Sequence, residues 1–557
     1  MSDFFAQLGL IVLFSTIGAI VAAKFRQPPV IGLILAGMLI GPTGLGWIEQ
    51  SEVIADFAEL GAVLLLFAIG IEFSLGKLLN YGVRPIAIAL IKMGFVYLVS
   101  YELALALGMN SITALYIGAI MCITSTALMI KILEYKRLTH KEEVGVLIGS
   151  LIVEDLFAVF LLTFFSALSL NADVSTISVV YSISQAALIL GIVYILLSKA
   201  MKPVSEMISK YQTENEATLS IALGLGIGLS AIAQYLNLSP AIGAFLAGSL
   251  AATLQSKDEL EKQIWPFVLT FSSIFFLSIG LLVELNSVIE NLGVIIVFTI
   301  AIIILNFIAN GASMYLAGYN SKSAVFAGLA MLSIGEFSLL IAKQAQGTSI
   351  DMVGFTSILV LATVLVSSLT ISHYSIVHEI VQRLVPESFK NAGRNTARKM
   401  VLTINTIEHS LEIIRSGYEA VKSLGLLIVI VTAAIIIGYL FKDNHFKILD
   451  QTIPLDYLLL AIAALIGLYV LAQVIIRIIK TISTISQKMK SYPGVFKEIT
   501  IFFIIIGLAI ITPLLLAIFN ITTGLSELGT ITISLILLAF FIFSGKSDDR
   551  LFSGKRY

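Results

Sequence analysis

The sequence has a single cysteine, Cys122, and only five histidines and two tryptophans in 557 residues. One cysteine excludes an intramolecular disulfide framework. The histidines, at positions 140, 373, 378, 409 and 445, avoid the centres of the apolar runs, which argues against a buried histidine metal site. Charge is scarce as well: 12% of residues are charged and the formal net charge is −1. Soluble domains carry about 25% charged residues, and a nucleic-acid surface needs a positive excess, so neither class fits. Catalytic signatures are also missing. There is no G-x-S-x-G, no H-E-x-x-H and no phosphate-binding loop. Gly224-Leu225-Gly226-Ile227-Gly228 lies inside an apolar run with no strand before it. The chain is therefore expected not to be an enzyme and to carry no cofactor.

What is present is apolar surface, with 58% hydrophobic residues and a mean hydropathy of +1.01. A soluble core cannot hide that much, and a disordered chain would not contain it. The solvent is a bilayer. A helical span needs about 20 apolar residues, whereas barrel strands alternate over about 10. The runs here are continuous, which predicts an all-α polytopic membrane protein. Thirteen spans are predicted near 4–22, 29–46, 53–73, 84–107, 112–133, 145–169, 176–198, 216–236, 239–254, 265–283, 290–317, 322–345 and 352–373. A basic connector at 374–423 separates them from four further spans near 424–441, 454–478, 499–519 and 524–544. The first run follows Met1-Ser2-Asp3 rather than a basic segment, so it reads as a span and not a signal peptide.

Loop charges set the expected orientation. Loops after the odd-numbered spans carry Lys24, Arg26, Lys77, Lys136, Arg137, Lys262 and Lys322, while the intervening loops carry acids such as Glu49, Asp173 and Asp351. The positive-inside rule then places the N-terminus outside and, with seventeen spans, the C-terminus in the cytoplasm of a cell whose plasma or inner membrane holds the chain. Lys442 and Lys447 depart from the rule. The basic connector is expected to lie against anionic lipid.

The pattern P-x-I-G-x-x-L-A-G occurs twice, at Pro29–Gly37 and Pro240–Gly248, and Phe67-Ala68-Ile69-Gly70 is echoed by Leu277-Ser278-Ile279-Gly280. Spans two and three thus correspond to nine and ten. An odd offset of seven spans implies inverted topology, the architecture of secondary transporters with a site near the midplane.

An acid inside the membrane is a functional candidate by default. Asp155 lies about ten residues from the inner end of span six, roughly 15 Å deep. It can hold a proton or a dehydrated monovalent cation, and competition between the two is the logic of exchange. Glu154 precedes it and could share the work, giving two protons per cation instead of one. Thr124-Ser125-Thr126 in span five weakens the helix and offers oxygen ligands. Its counterpart in span twelve, Ser333-Ile334-Gly335-Glu336, supplies a second interrupted helix, with Glu336 as a charge partner at the break. Other intramembrane charges read as structural: Glu72 and Lys92 as a pair or as snorkelling side chains, and Glu102, Glu284 and Lys343 near outer ends.

With these motifs in order, the chain resembles the CPA2 group of monovalent cation/proton antiporters, over about residues 1–375. The resemblance rests on Leu60–Phe73, Ser125-Thr126-Ala127, Glu154-Asp155, Ser239–Gly248 and Gly335-Glu336-Phe337. It implies a homodimer, an inverted-repeat fold of thirteen helices with crossed broken helices, elevator-like alternating access, and Asp155 as the ion-binding aspartate. The sequence departs from the group in two places. Kef-type relatives have Gln and electrogenic exchangers have Asp where this chain has Glu154. Relatives often carry Lys or Arg in span eleven, where Asn306 stands here. The expectation is sodium or potassium exchanged for protons, with sodium preferred because Glu154 resembles the two-acid exchangers. The alternatives are potassium efflux through a channel-like transporter, and a non-transporting membrane sensor or scaffold.

Overall fold

The structure is a computed structural model. It describes residues 2–48, 52–72, 82–169, 214–236, 239–254, 257–346, 348–408, 445–448 and 451–454, with isolated positions at 196–199, 203, 206, 410 and 419. The seventh predicted span, apart from its last residues, and the last four lie outside the described residues.

Seventeen described helices follow one another. They are α1 (Ser2–Lys24), α2 (Pro29–Ile40), α3 (Glu52–Glu72), α4 (Arg84–Ala106), α5 (Ser111–Cys122), α6 (Thr126–Tyr135), α7 (Glu142–Ser169), α8 (Glu214–Tyr235) and α9 (Pro240–Ala251). Then come α10 (Lys257–Leu281), the short α11 (Leu285–Glu290), α12 (Leu292–Leu316), α13 (Ser321–Ala330), α14 (Glu336–Lys343), α15 (Met352–Thr370), α16 (Tyr374–Leu384) and α17 (Glu387–Glu408). Among the described residues, seven helices are long and apolar enough to cross a membrane, with the α5–α6 pair counted as one. The all-α expectation meets one local exception. His445–Ile448 pairs antiparallel with Gln451–Pro454, with Ile448 opposite Gln451. Phe446, Ile448, Thr452 and Ile453 favour extended backbone, and the segment is too short to nucleate a helix.

The helices sort into two bundles. Helices α1, α2, α3, α8, α9 and α10 pack closely on one another, as do α4–α7 with α12–α15, and contacts between the two groups are sparse. The first bundle is knit by the glycines of the sequence repeat. A Cβ on Gly280 of α10 would meet the Ile34 carbonyl of α2 and lie 2.9 Å from Gly37 Cα. A Cβ on Gly248 of α9 would meet the Phe67 carbonyl of α3 and lie 2.9 Å from Gly70 Cα. The two contacts are reciprocal: each repeat's P-x-I-G-x-x-L-A-G helix presses its last glycine onto the glycine of the other repeat's following span. Small residues allow this approach of backbones, which in lipid supplies the packing that a hydrophobic drive cannot.

The second bundle shares the pseudo-symmetry. Asn110 caps α5 by accepting from the Thr113 N–H at 2.7 Å, and Asn320 caps α13 by accepting from the Ser323 N–H at 2.9 Å. Both Asn-Ser-x-Thr/Ser starts precede a helix that breaks in mid-span. The connector then folds back on this bundle. Helix α16 runs on from α15 through a 3-10 turn, and Ser321 Oγ lies 2.9 Å from His378 Nε2. Helix α17 buries Met400, Thr403 and Ile404 on one face. Its Glu408 Oε1 accepts the Val83 N–H at 3.1 Å, and its Asn405 Oδ1 accepts from Arg84 Nη2 at 3.1 Å. Gly318, at φ +99, turns the chain after α12 directly against Val401.

The glycine contacts predict a site-specific cost. Gly280→Ala forces α2 and α10 apart, and overpacking of this kind costs about 1–3 kcal/mol. Gly293→Ala meets nothing within 4 Å and is expected to be neutral or slightly stabilising. Thermal unfolding in detergent checks this: the Gly280 variant melts lower than the Gly293 variant, and equal melting would sink the idea of a glycine-knit bundle.

Candidate ion site at two crossed helix breaks

The hydroxyl run of span five and the Ser-Ile-Gly-Glu of span twelve sit at the two breaks. Helix α5 ends at Cys122, Ile123 and Ser125 are extended, and α6 begins at Thr126. Helix α13 ends at Ala330 and α14 begins at Glu336. The breaks cross. The Ser125 N–H donates to the Ser333 carbonyl at 2.9 Å, and Ser338 Oγ donates to the Ile120 carbonyl at 2.8 Å. Gly335 leaves no room for a side chain, since a Cβ there would meet Ser125.

Each break exposes backbone groups that hydrocarbon cannot satisfy. At the first, Lys92 of α4 donates to the Cys122 carbonyl at 2.7 Å, and Glu154 of α7 accepts the Thr124 N–H at 3.0 Å. At the second, Asn310 of α12 donates to the Met331 carbonyl at 3.0 Å, and Asn306 donates to the Leu332 carbonyl at 3.4 Å. Helices α4 and α12 are spans four and eleven, which are repeat mates. They do the same work with different chemistry, an ammonium on one side and two amides on the other.

Lys92 also forms a fully buried ion pair with Glu154, Nζ to Oε2 at 2.7 Å, with both side chains at 0% exposure. This corrects the expectation that Lys92 snorkels or pairs with Glu72. Lys92 stands eight residues into α4, about 12 Å along the helix, too deep to reach water easily. It also supplies a basic group that span eleven lacks. Lys92 is thus the functional candidate that sequence reasoning undervalued, although a lysine in mid-span was signal enough.

The three hydroxyls expected to act together serve three different acids. Thr124 Oγ1 donates to Glu154 Oε2 at 2.6 Å, Ser125 Oγ to Glu336 Oε2 at 2.6 Å, and Thr126 Oγ1 to Asp155 Oδ2 at 3.1 Å. Glu336, the first residue of α14, is buried and takes a hydroxyl as its hydrogen-bonding partner at the break. Ser333 contributes through its backbone carbonyl. Asn306 supports the second break rather than an acid. Glu154 and Asp155 are neighbours, but successive helix positions point about 100° apart. Glu154 is sealed at 0% exposure, whereas Asp155 keeps 5% and faces Thr126, beside exposed Ala127. Carboxylates at the start of α6 and an ammonium at the end of α5 also complement the half-helix dipoles.

Breaking a buried ion pair by removing one partner typically costs about 3–5 kcal/mol, while replacing both partners with neutral groups of similar volume is often harmless. Lys92→Met and Glu154→Gln are each expected to lower thermal stability clearly, and the double variant to recover most of the loss. A double-mutant cycle on melting temperature tests this; simple additivity of the two losses would rule out the coupling.

The profile of the family described as sodium/hydrogen exchanger, transmembrane, matches residues 9–376. A Na(+)/H(+) antiporter of Enterococcus hirae is 28% identical over 378 residues, covering 67% of this chain and 98% of the relative. The Na(+)/H(+)-K(+) antiporter GerN of Bacillus cereus is 26% identical over 369 residues, covering 66% of this chain and 94% of the relative. Among solved structures, the sodium proton antiporter MjNhaP1 of Methanocaldococcus jannaschii matches with a TM-score of 0.50 at 16% identity, over 68% of this chain and 97% of its own, a likeness of fold. The matched region contains both helix breaks, Lys92 and the Glu154-Asp155 pair, and the chain belongs to the sodium/hydrogen exchanger family.

Proposed function

We propose that this protein exchanges a monovalent alkali cation for a proton across the membrane, with Asp155 as the group for which the two compete. The observation that carries this reading is the contrast within the acid pair. Glu154 is sealed and ion-paired, whereas the adjacent Asp155 faces the more open side of the helix break with the Thr126 hydroxyl on one oxygen. A carboxylate at a broken helix in mid-membrane binds a cation with oxygen ligands and releases it on protonation. Membership of the family and the names of the two relatives support exchange of sodium or potassium. The preference for sodium rested on Glu154 as a second exchanging acid. With Lys92 on Glu154 that argument falls, and the reading covers both ions.

The two-bundle packing suits a mechanism in which the bundle holding Asp155 slides against the glycine-knit bundle. Residues 1–373 would form this transport unit, with the N-terminus outside, working as a homodimer. The following connector would rest on the cytoplasmic leaflet, where Arg394 and Arg398 are exposed.

Proteoliposomes with a trapped pH dye test the reading. Sodium or potassium added outside is expected to alkalinise an acidic lumen, and Asp155→Asn to abolish the response. Thr126→Val removes one hydrogen bond worth about 1 kcal/mol and should raise the half-saturating cation concentration about fivefold. Full activity in Asp155→Asn would overturn the assignment.

A further inference from the structure

We infer that Ser166 of α7 is the latch that closes the outer mouth of the pathway, and that each exchange cycle must break its hydrogen bond to the opposite bundle. Its part in a cycle rests on the exchange reading above, as does the outer placement of this end of α7.

Ser166 lies eleven residues after Asp155 on α7, about three turns and 16 Å farther out on nearly the same face. Leu162 stands between them on that face, and both Leu162 and Ser166 are buried. Ser166 Oγ accepts the Ser239 N–H at 3.1 Å, a bond that joins the bundle holding Asp155 to α9 of the glycine-knit bundle. It donates in turn to Gln344 Oε1 at 3.1 Å. Gln344 is itself fixed: its carbonyl accepts from the Tyr116 hydroxyl at 3.0 Å, and the Tyr116 ring stacks on Phe165 with centroids 4.2 Å apart. The Ser166 hydroxyl is aimed by its own bundle and engaged by the other.

The two repeats differ at this point. Ser239 precedes Pro240 at the start of α9, and Pro28 precedes Pro29 at the start of α2. Their backbones match, with φ −58 and ψ 128 at Ser239 against φ −57 and ψ 141 at Pro28. Ser239 has an N–H to give, and Pro28 has none. The inner mouth therefore lacks the donor that the outer mouth uses. The half-helices beyond the breaks are unequal in the same sense. In α14 every residue from Glu336 to Ala342 is buried. In α6, its repeat mate, Ala127 and Glu134 are exposed, and Lys131 pairs with Glu134 at 3.3 Å with both side chains partly open. Ala127, Lys131 and Glu134 form one stripe, at i, i+4 and i+7, that starts beside Thr126, the partner of Asp155. A charged pair on such a stripe calls for water rather than lipid. Asp155 is thus open along α6 toward the cytoplasm and sealed toward the outside, with Ser166 in the seal.

Thiol labelling in oriented membrane vesicles tests this, in a Cys122→Ala background that carries Leu162→Cys as the reporter. A membrane-impermeant maleimide is applied from the outside, and labelling is expected to be slow with the latch intact. Ser166→Ala is expected to speed it about fivefold, the population shift that one net hydrogen bond is worth. Ser239→Pro copies Pro28 and removes the N–H without straining the backbone. It should give the same gain, and it decides the matter if Ser166→Ala does not fold. Ser166→Thr keeps the hydroxyl and should label as slowly as the parent. Without the reporter, the two latch-breaking variants should lower the outside half-saturating cation concentration for exchange, because a larger fraction of the protein presents Asp155 outward. Unchanged labelling in folded Ser239→Pro overturns the inference, as does fast outside labelling with the latch intact; either leaves exchange untouched. Absence of exchange in folded wild type overturns the exchange reading, and with it the latch's part in a cycle, whatever the labelling shows.

Discussion

Backbone polarity inside hydrocarbon is the constraint around which this molecule is arranged. A continuous helix satisfies its own N–H and C=O groups, and a broken one does not. Here two helices break at the same place, and the hydrogen bond from Ser125 N–H to the Ser333 carbonyl lets each break serve the other. What the crossing cannot satisfy, the neighbouring helices do. Lys92, Glu154, Asn306, Asn310 and Ser338 all point their polar atoms at freed backbone or at the residues beside it. The polar cluster in the membrane is therefore first a structural necessity. Asp155 is the acid beside it whose partner is the Thr126 hydroxyl at the mouth of α6.

Much of the architecture was legible because lipid permits so few solutions. Runs of about 20 apolar residues could only be helices. Most described ones begin and end within a few residues of the predicted limits, but α2 stops at Ile40 against a predicted 46, and α10 starts at Lys257 against a predicted 265, because its first turns are charged. The repeated P-x-I-G-x-x-L-A-G was legible as a pattern, and its physical content is the Gly37–Gly280 and Gly70–Gly248 approach of backbones. The breaks were legible from Thr124-Ser125-Thr126 and Ser333–Glu336, since hydroxyls and glycine weaken helices. The Asn110 and Asn320 caps stand at nearly the same offset as the glycines and were equally readable.

Partnership was harder to read. Lys92 and Glu154 are 62 residues apart, and hydropathy reports depth, not azimuth or which helix lies beside which. By depth alone Lys92 could face Glu72 as well as Glu154. The division of three adjacent hydroxyls among three acids was hidden for the same reason, since it depends on how α7 and α14 approach the break. The basic group looked for in span eleven stands in span four, its repeat mate. In a two-fold arrangement either mate can reach a break, so the search had to be made on both. The duplication thus supplies two equivalent scaffolds, and the ammonium on one side with amides on the other makes the centre electrically one-sided.

The attachment of α17 has a mechanical meaning. Its Asn405 and Glu408 grip the first residues of α4, and its Val401 sits on the glycine turn that ends α12. These are the two helices that carry Lys92 and the Asn306–Asn310 pair. A force applied to the chain beyond Glu408 enters the protein as tension on α4 and α12 together, along rods about 35 Å long for 23 to 25 residues. The strap is thus wired to both halves of the charge centre at once, so a twist of α17 would reach the crossing as a change of register between an ammonium and an amide.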